Sequence, residues 1–236
     1  MMPGIVASRP VPSGGGGDPH WSNVVALLHF DGANGSQSFV DEKGHTFSNV
    51  GGAELSTAVS KFGSASLVLN GSSDAVESPT STDWEFGDGD FTIEAQIYLA
   101  APVSSRMEII DRWNGTGFGM QIMDNGLLRA FCQGTAHGLA VCGPGSTEVT
   151  DGEFHHVAFC RNGDVLGIFL DGVAEATAAF TGSIDAIGDT LDIGYDNNGI
   201  SRFFNGYIDE VRITKGVARY TPGVNFTPPT AAFPDS

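Results

Sequence analysis

Residues 91–99 read FTIEAQIYL. Phe91, Ile93, Ala95, Ile97 and Leu99 recur at every second position, with Thr92, Glu94, Gln96 and Tyr98 between them. Side chains along a strand point alternately to opposite faces, so this run has one apolar side and one largely polar side. Working outward, similar short runs are separated by turn signals. Asp124-Asn125-Gly126 divides GMQIM (119–123) from LLRAFC (127–132), and Asn162-Gly163 divides HHVAFCR (155–161) from DVLGIFL (164–170). Asn-Gly accepts the positive φ of a tight hairpin, and residues 197–199 repeat the device. With 33 glycines, 11 prolines and no stretch of helical period, the chain is predicted to be all-β. Roughly a dozen short strands would form a two-sheet antiparallel β-sandwich.

At 236 residues the chain is long enough for one large β domain with a sizeable core. Its net charge of −17 argues against nucleic acid, whose phosphates need clustered Lys and Arg, and against an anionic membrane surface. No apolar run approaches a membrane span, and residues 1–20 show neither an early basic cluster nor the apolar core of a signal peptide. This predicts folding in a cytoplasm. Cys132, Cys142 and Cys160 lack metal-ligand spacing and are read as buried free thiols, a Cys132–Cys142 bridge being the alternative. Residues 1–22 hold Pro3, Pro10, Pro12, Pro19 and the run Gly14 to Gly17, and are read as an extended arm or tether. Residues 222–236 form a Pro-rich C-terminal extension that packs on the domain or trails it.

Four segments together carry a resemblance: KFGSASLVLNGSSDAVESP (61–79), FGDGDFTIEAQIYL (86–99), DGEFHHVAFCRNGDVLGIFLDGVAEA (151–176) and FFNGYIDEVRITKGVARY (203–220). In this order and spacing they resemble the LamG-like jelly-roll domain of the concanavalin A-like lectin/glucanase superfamily, here over residues 23–221. The opening ALLHFDGANGSQSFVDEKGH (26–45) and the ending ITKGVARYTPGVNFTPPTAAFPDS (213–236) resemble the version found in tailed-phage virion proteins. The resemblance implies a jelly roll of two curved antiparallel sheets, often with a structural calcium, and a binding rather than a catalytic role.

Asp209 and Glu210 sit side by side in GYIDEVRI (206–213). Neighbours on a strand face apart, so the two cannot flank one glycosidic bond. The Glu-x-Asp-x-(x)-Glu run of the superfamily's glucanases is missing, and so is a Gly-x-Ser-x-Gly elbow; no catalytic residue is assigned. Alternation puts Asp209 with Tyr207, Val211 and Ile213 on the core face, and Glu210 with Arg212 in a surface ladder. The resemblance implies calcium as a cofactor, with Asp209 and Asp31 as ligands; the alternative is that Asp209 hydrogen-bonds a neighbouring turn. His155 and His156 face apart on a strand and cannot chelate one ion together; the resemblance implies a structural role for the pair. Sugars stack on rings and bond to amides and carboxylates, which makes Trp113, Asn114, Asp196, Asn197 and Asn198 the glycan-binding candidates. Trp84 is read as covering a sheet edge or the core.

The expected function is a non-enzymatic virion protein, a capsid decoration or tail-fibre component. It would be made in the host cytoplasm and displayed on the particle surface, joined to other virion proteins by its arm and binding host or environmental glycans. A homo-oligomer is compatible with this reading. The alternatives are a bacterial carbohydrate-binding or adhesion module and, behind it, a glycoside hydrolase.

Overall fold

The computed structural model describes residues 17–185, 188–196 and 202–236. In chain order its strands are β1 (Val24–Leu28), β2 (Phe39–Val40), β3 (Thr46–Val50), β4 (Glu54–Ser56), β5 (Ser66–Asn70), β6 (Ala75–Ser78), β7 (Phe91–Leu99) and β8 (Met107–Trp113). They continue with β9 (Gly117–Ile122), β10 (Leu128–Gly134), β11 (Gly138–Cys142), β12 (Phe154–Asn162), β13 (Val165–Leu170), β14 (Val173–Ala179), β15 (Leu191–Ile193) and β16 (Asn205–Lys215). Among the described residues the helical segments are two single 3-10 turns, Trp21–Asn23 and Thr82–Trp84.

Two antiparallel sheets stack into the expected sandwich. The first runs β14-β13-β12-β7-β16-β5-β4, with β1 also paired to β16; the second runs β11-β10-β9-β8-β15-β6-β3-β2. The apolar row of FTIEAQIYL lies wholly in the core between them. Phe86 stacks on Phe91 with centroids 4.5 Å apart, and Phe91 meets Phe159 edge-on at 5.1 Å. Trp84 is fully buried in the same core. Both Asn-Gly signals make hairpins, β9–β10 and β12–β13, with Gly126 at φ 77° and Gly163 at φ 57°. The third signal, at 197–199, lies outside the described residues, as does the arm up to residue 16. All three cysteines are buried and free, and burial pushes each thiol up to about 12.

β16 corrects the strand reading. Asp209 pairs with Gln96 and Arg212 with Glu94, so β16 carries one residue more than β7 across this interval. That residue is absorbed by a bulge in which Glu210 takes φ 51°. The bulge shifts the alternation: Ile208, Val211 and Ile213 face the core, while Asp209 and Arg212 face away. The Glu210–Arg212 ladder does not form. Buried Glu210 binds His29 Nδ1 at 2.7 Å and accepts the Phe233 N–H at 2.8 Å.

The outer face of the first sheet is closed by the two ends of the domain. Glu94 is fully buried and accepts Arg212 Nε at 3.0 Å, Arg212 Nη2 at 2.8 Å and the Tyr220 hydroxyl at 2.7 Å, with His156 Nε2 at 3.0 Å. Burial raises its pKa, but the Arg212 guanidinium and His156 outweigh that and hold Glu94 down to about 2. Arg212 and Arg219 both donate to Asp18, which fastens the base of the arm. The predicted arm of residues 1–22 is therefore part of the domain from Asp18 onward. The C-terminal extension packs rather than trails: Phe226 stacks on Tyr220 at 3.7 Å, and Phe233 lies 3.8 Å beneath the Arg212 guanidinium. His155 and His156 point apart, to Asp171 and Glu94, in structural roles.

Candidate functional site

The two predicted calcium ligands hold a loop. Asp209 stands where β16 changes partner, from β5 at residues 205–208 to β1 at 211–214. The loop preceding β5 enters that gap, and Asp209 Oδ2 accepts the backbone N–H groups of Lys61 at 2.8 Å and Phe62 at 3.2 Å. Its Oδ1 accepts the Glu210 N–H at 2.9 Å. Asp31, just past β1, accepts both the N–H and the hydroxyl of Ser64 in the same loop. First and last strands are thus clipped together, and the partners seen are N–H and O–H groups. Burial and the adjacent Glu210 carboxylate push Asp209 up to about 8, against these donors. Among the described residues no three His, Cys, Asp or Glu side chains converge as a metal set. Asp209→Ala takes the acceptor from the buried Glu210 N–H and the part-buried N–H groups of Lys61 and Phe62 and is expected to cost about 2–4 kcal/mol, since each orphaned buried donor costs about 1–3 kcal/mol, and to speed amide exchange at residues 59–64. A calcium-dependent rise in Tm that vanishes in this variant would support the metal reading.

The outer face of the second sheet is organised differently. β8 reads MEIIDRW and carries an extra residue at Ile109: Glu108 pairs with Gln121, Ile110 with Met120 and Asp111 with Gly119. Ile109 and Ile110 both enter the core, so Glu108 and Asp111, three positions apart, both face outward. In β15, LDI, Leu191 and Ile193 point inward and Asp192 outward. Asp192 stands directly opposite Asp111 on one side and Glu77 on the other. One row therefore crosses the sheet as Glu77, Asp192, Asp111, Gly119, Phe131, and a second as Glu108, Gln121, Arg129. Bare backbone at Gly119 lets this row close up; an added Cβ would lie 2.5 Å from the Phe131 ring and 2.7 Å from Asp111 Oδ2.

Beside these rows opens a cavity of about 190 Å³, walled by Trp113, Phe131, Gln121, Asp196 and the arginines Arg106, Arg129 and Arg202. Trp113 meets Phe131 edge-on at 5.1 Å and remains partly exposed. Arg202 Nη1 lies 3.1 Å from both Glu108 Oε1 and Asp196 Oδ2. Thr190 donates to Asp192 at 2.8 Å, and the Tyr195 hydroxyl donates to Glu77 at 2.8 Å.

The acids of the floor are held away from ionisation. Burial pushes Glu108 up to about 8, reinforced by Asp196 and opposed by Arg202. Burial, then the charges of Glu108, Asp196 and Asp192, raise Asp111 well above the usual range, and burial takes Asp192 to about 7. Glu108 Oε2, both oxygens of Asp111 and Gln121 Oε1 are buried without a hydrogen-bond partner among the described residues. The Trp113 backbone N–H lies near the Asp111 carboxyl but outside hydrogen-bonding geometry. Buried acceptors without donors are uncommon and costly. Several in one patch, beside a cavity with aromatic walls, set this face of the sheet apart from the other.

Of the predicted glycan-binding residues, Trp113 and Asp196 come together on this cavity. Asn114 is exposed in the adjoining β8–β9 turn, where its N–H bonds the Thr116 carbonyl, and it does not line the cavity. Asn197 and Asn198 lie outside the described residues. Sequence reasoning missed Glu108, Asp111, Gln121, Arg129, Phe131 and Asp192. Alternation in LDI marks Asp192 as outward; the bulge at Ile109 conceals the pairing of Glu108 with Asp111.

A family model, Laminin_G_3, described as concanavalin A-like lectin/glucanases superfamily, matches residues 70–219. No curated protein matches the chain in sequence. The chain is similar in structure to the binding domain of Paraclostridial Mosquitocidal Protein 1, with TM-score 0.66 and 13% identity over 84% of this chain and 50% of that one. It is also similar to the botulinum neurotoxin serotype D binding domain, with TM-score 0.62 and 14% identity over 85% and 50%. A third similar structure is domain 4 of AbnA, a GH43 extracellular arabinanase from Geobacillus stearothermophilus, in complex with arabinotriose, with TM-score 0.58 and 14% identity over 82% and 93%. The chain spans about half the length of the toxin binding domains it matches.

Proposed function

The chain belongs to the concanavalin A-like lectin/glucanases superfamily, and from that premise we propose that it is a lectin-like module binding a glycan in the groove on the outer face of its second sheet. The observation that carries this reading is the wall of that groove. Trp113 and Phe131 offer ring surface beside Gln121, whose buried carbonyl oxygen has no donor. Sugars need that combination, a ring face to stack on and polar atoms fixed at its edge. On the opposite outer face Asp18, Tyr220, Phe226 and Phe233 pack over the sheet. Trp113→Ala is expected to weaken binding at least tenfold on a glycan panel without lowering Tm, since the ring is partly exposed. Unchanged binding would refute the site.

The finer part of the proposal is display on a phage particle, non-enzymatic, with the arm as tether. Supporting it are the resemblance of both ends of the chain to phage virion versions of the domain and the Pro/Gly-rich composition of residues 1–16. Fixed stoichiometry of the chain on purified particles tests it; absence from particles would favour a bacterial binding module.

A hydrolytic reading has one observation of its own. Asp111 and Asp192 are directly paired across β8 and β15, which sets Cβ atoms ~4.5–5.5 Å apart, and retaining glycosidases hold their carboxyls at ~5–5.5 Å. Against it, the two are only 1% and 2% exposed, sunk below the rim a substrate would meet first. Release of reducing ends from a polysaccharide panel, abolished in both Asp111→Asn and Asp192→Asn, would turn the reading toward catalysis.

A further inference from the structure

We infer that the groove selects sugars bearing an acidic group, a carboxylate or a sulfate, held by Arg106 and Arg129 while the sugar ring lies against Trp113. The inference rests on the groove being the glycan site. Its first support is the placement of cations. The chain has only 11 Lys and Arg against 28 Asp and Glu, yet three arginines wall one small cavity.

The second support is what those arginines lack. Arg202 is occupied by Glu108 and Asp196. Among the described residues Arg106 and Arg129 form no salt bridge, and the side-chain hydrogen bond of Arg129 goes to Met123 Sδ at 3.8 Å. Burial lowers the Arg129 pKa, and the like charges of Arg106 and Arg202 lower it further against the opposing pull of Glu108. Two guanidinium groups close enough to repel, each within reach of Glu108's field but in salt-bridge contact with no carboxylate among the described residues, form a receptor for an outside anion. The planar fork of arginine matches an oxyanion through paired N–H donors.

The floor does not oppose an anion. Burial pushes Glu108 up to about 8 and raises Asp111 well above the usual range, which thins the negative charge beneath an entering group, and the rim carboxylate Asp196 is paired with Arg202. Gln121 lines the same cavity, and its Oε1 has no donor among the described residues. The cavity, about 190 Å³, is smaller than the ~300–1,000 Å³ of drug-sized sites. It suits one ring of a longer chain, entering by its charged edge.

The test titrates the full chain with polygalacturonate, dextran sulfate and neutral galactan. Net charge of −17 repels both polyanions at long range, so a preference for either must arise locally. At least tenfold tighter binding of polygalacturonate or dextran sulfate than of galactan is expected, and the tighter of the two identifies the acidic group. Arg129→Gln and Arg106→Gln should each weaken that binding at least fivefold, the second serving if the first folds poorly, because Arg106 sits at the half-exposed rim. Galactan binding as tightly as the polyanions, and weakened by Trp113→Ala, overturns the inference and leaves the groove standing. No binding of any of the three overturns the inference together with the glycan-site reading.

Discussion

Replacing Arg212 with alanine is expected to destabilise the fold by about 3–5 kcal/mol, the cost of removing one partner from a buried ion pair. The variant leaves Glu94, fully buried in the centre of the first sheet, without the guanidinium that donates to it twice. It also frees Asp18 from one of its two arginines and strips the cation from the face of Phe233. Both ends of the domain should loosen along with its centre. At roughly 2–4 °C per kcal/mol for a domain of this size, Tm should fall by about 6–20 °C. The double variant Glu94→Gln/Arg212→Met should recover part of the loss, because no charge is then stranded. A denaturant melt showing less than 1 kcal/mol for Arg212→Ala would mean that this network does not fasten the termini.

The second large effect is on pH dependence. Asp209 and Glu108 titrate near 8 and Asp192 near 7 in the folded protein, whereas free carboxyls titrate near 4. Between those values the folded state binds more protons than the unfolded chain, so stability falls as pH rises. Glu94 acts oppositely: its folded pKa of about 2 gives stability that is present above pH 4.5 and lost as pH falls toward 2. The two effects place the maximum near pH 4–5, more acidic than is usual. Tm at pH 5 should exceed Tm at pH 8 by roughly 5–15 °C, reflecting several kcal/mol. Glu108→Gln and Asp192→Asn should each flatten that slope. A stability maximum at pH 7 or above would show that these acids are ionised in the folded protein.

Alternation and turn chemistry made the architecture legible. FTIEAQIYL lies at the centre of the first sheet with its apolar row inward, and the two described Asn-Gly turns close hairpins. Both important misreadings have one physical cause. A bulge adds a residue without changing composition, and period-two reasoning then assigns every later side chain to the wrong face. At Glu210 the slip put Asp209 among core residues and Glu210 beside Arg212. At Ile109 it hid the fact that Glu108 and Asp111 share a face. Neither position carries a glycine to announce the kink. The arginines of the groove were illegible for another reason: Arg106 just before β8, Arg129 in β10 and Arg202 ahead of β16 are far apart in sequence, and only folding brings them to one rim.

The central claim is that the outer face of the second sheet is the binding surface. Amide hydrogen exchange with and without a saturating glycan, chosen as the tightest binder on the panel, tests it most directly. Protection should appear on β8, β9 and β10 around Trp113, Gln121 and Arg129. Protection confined to the first sheet or to the 59–64 loop, with β8 to β10 unchanged, would contradict it.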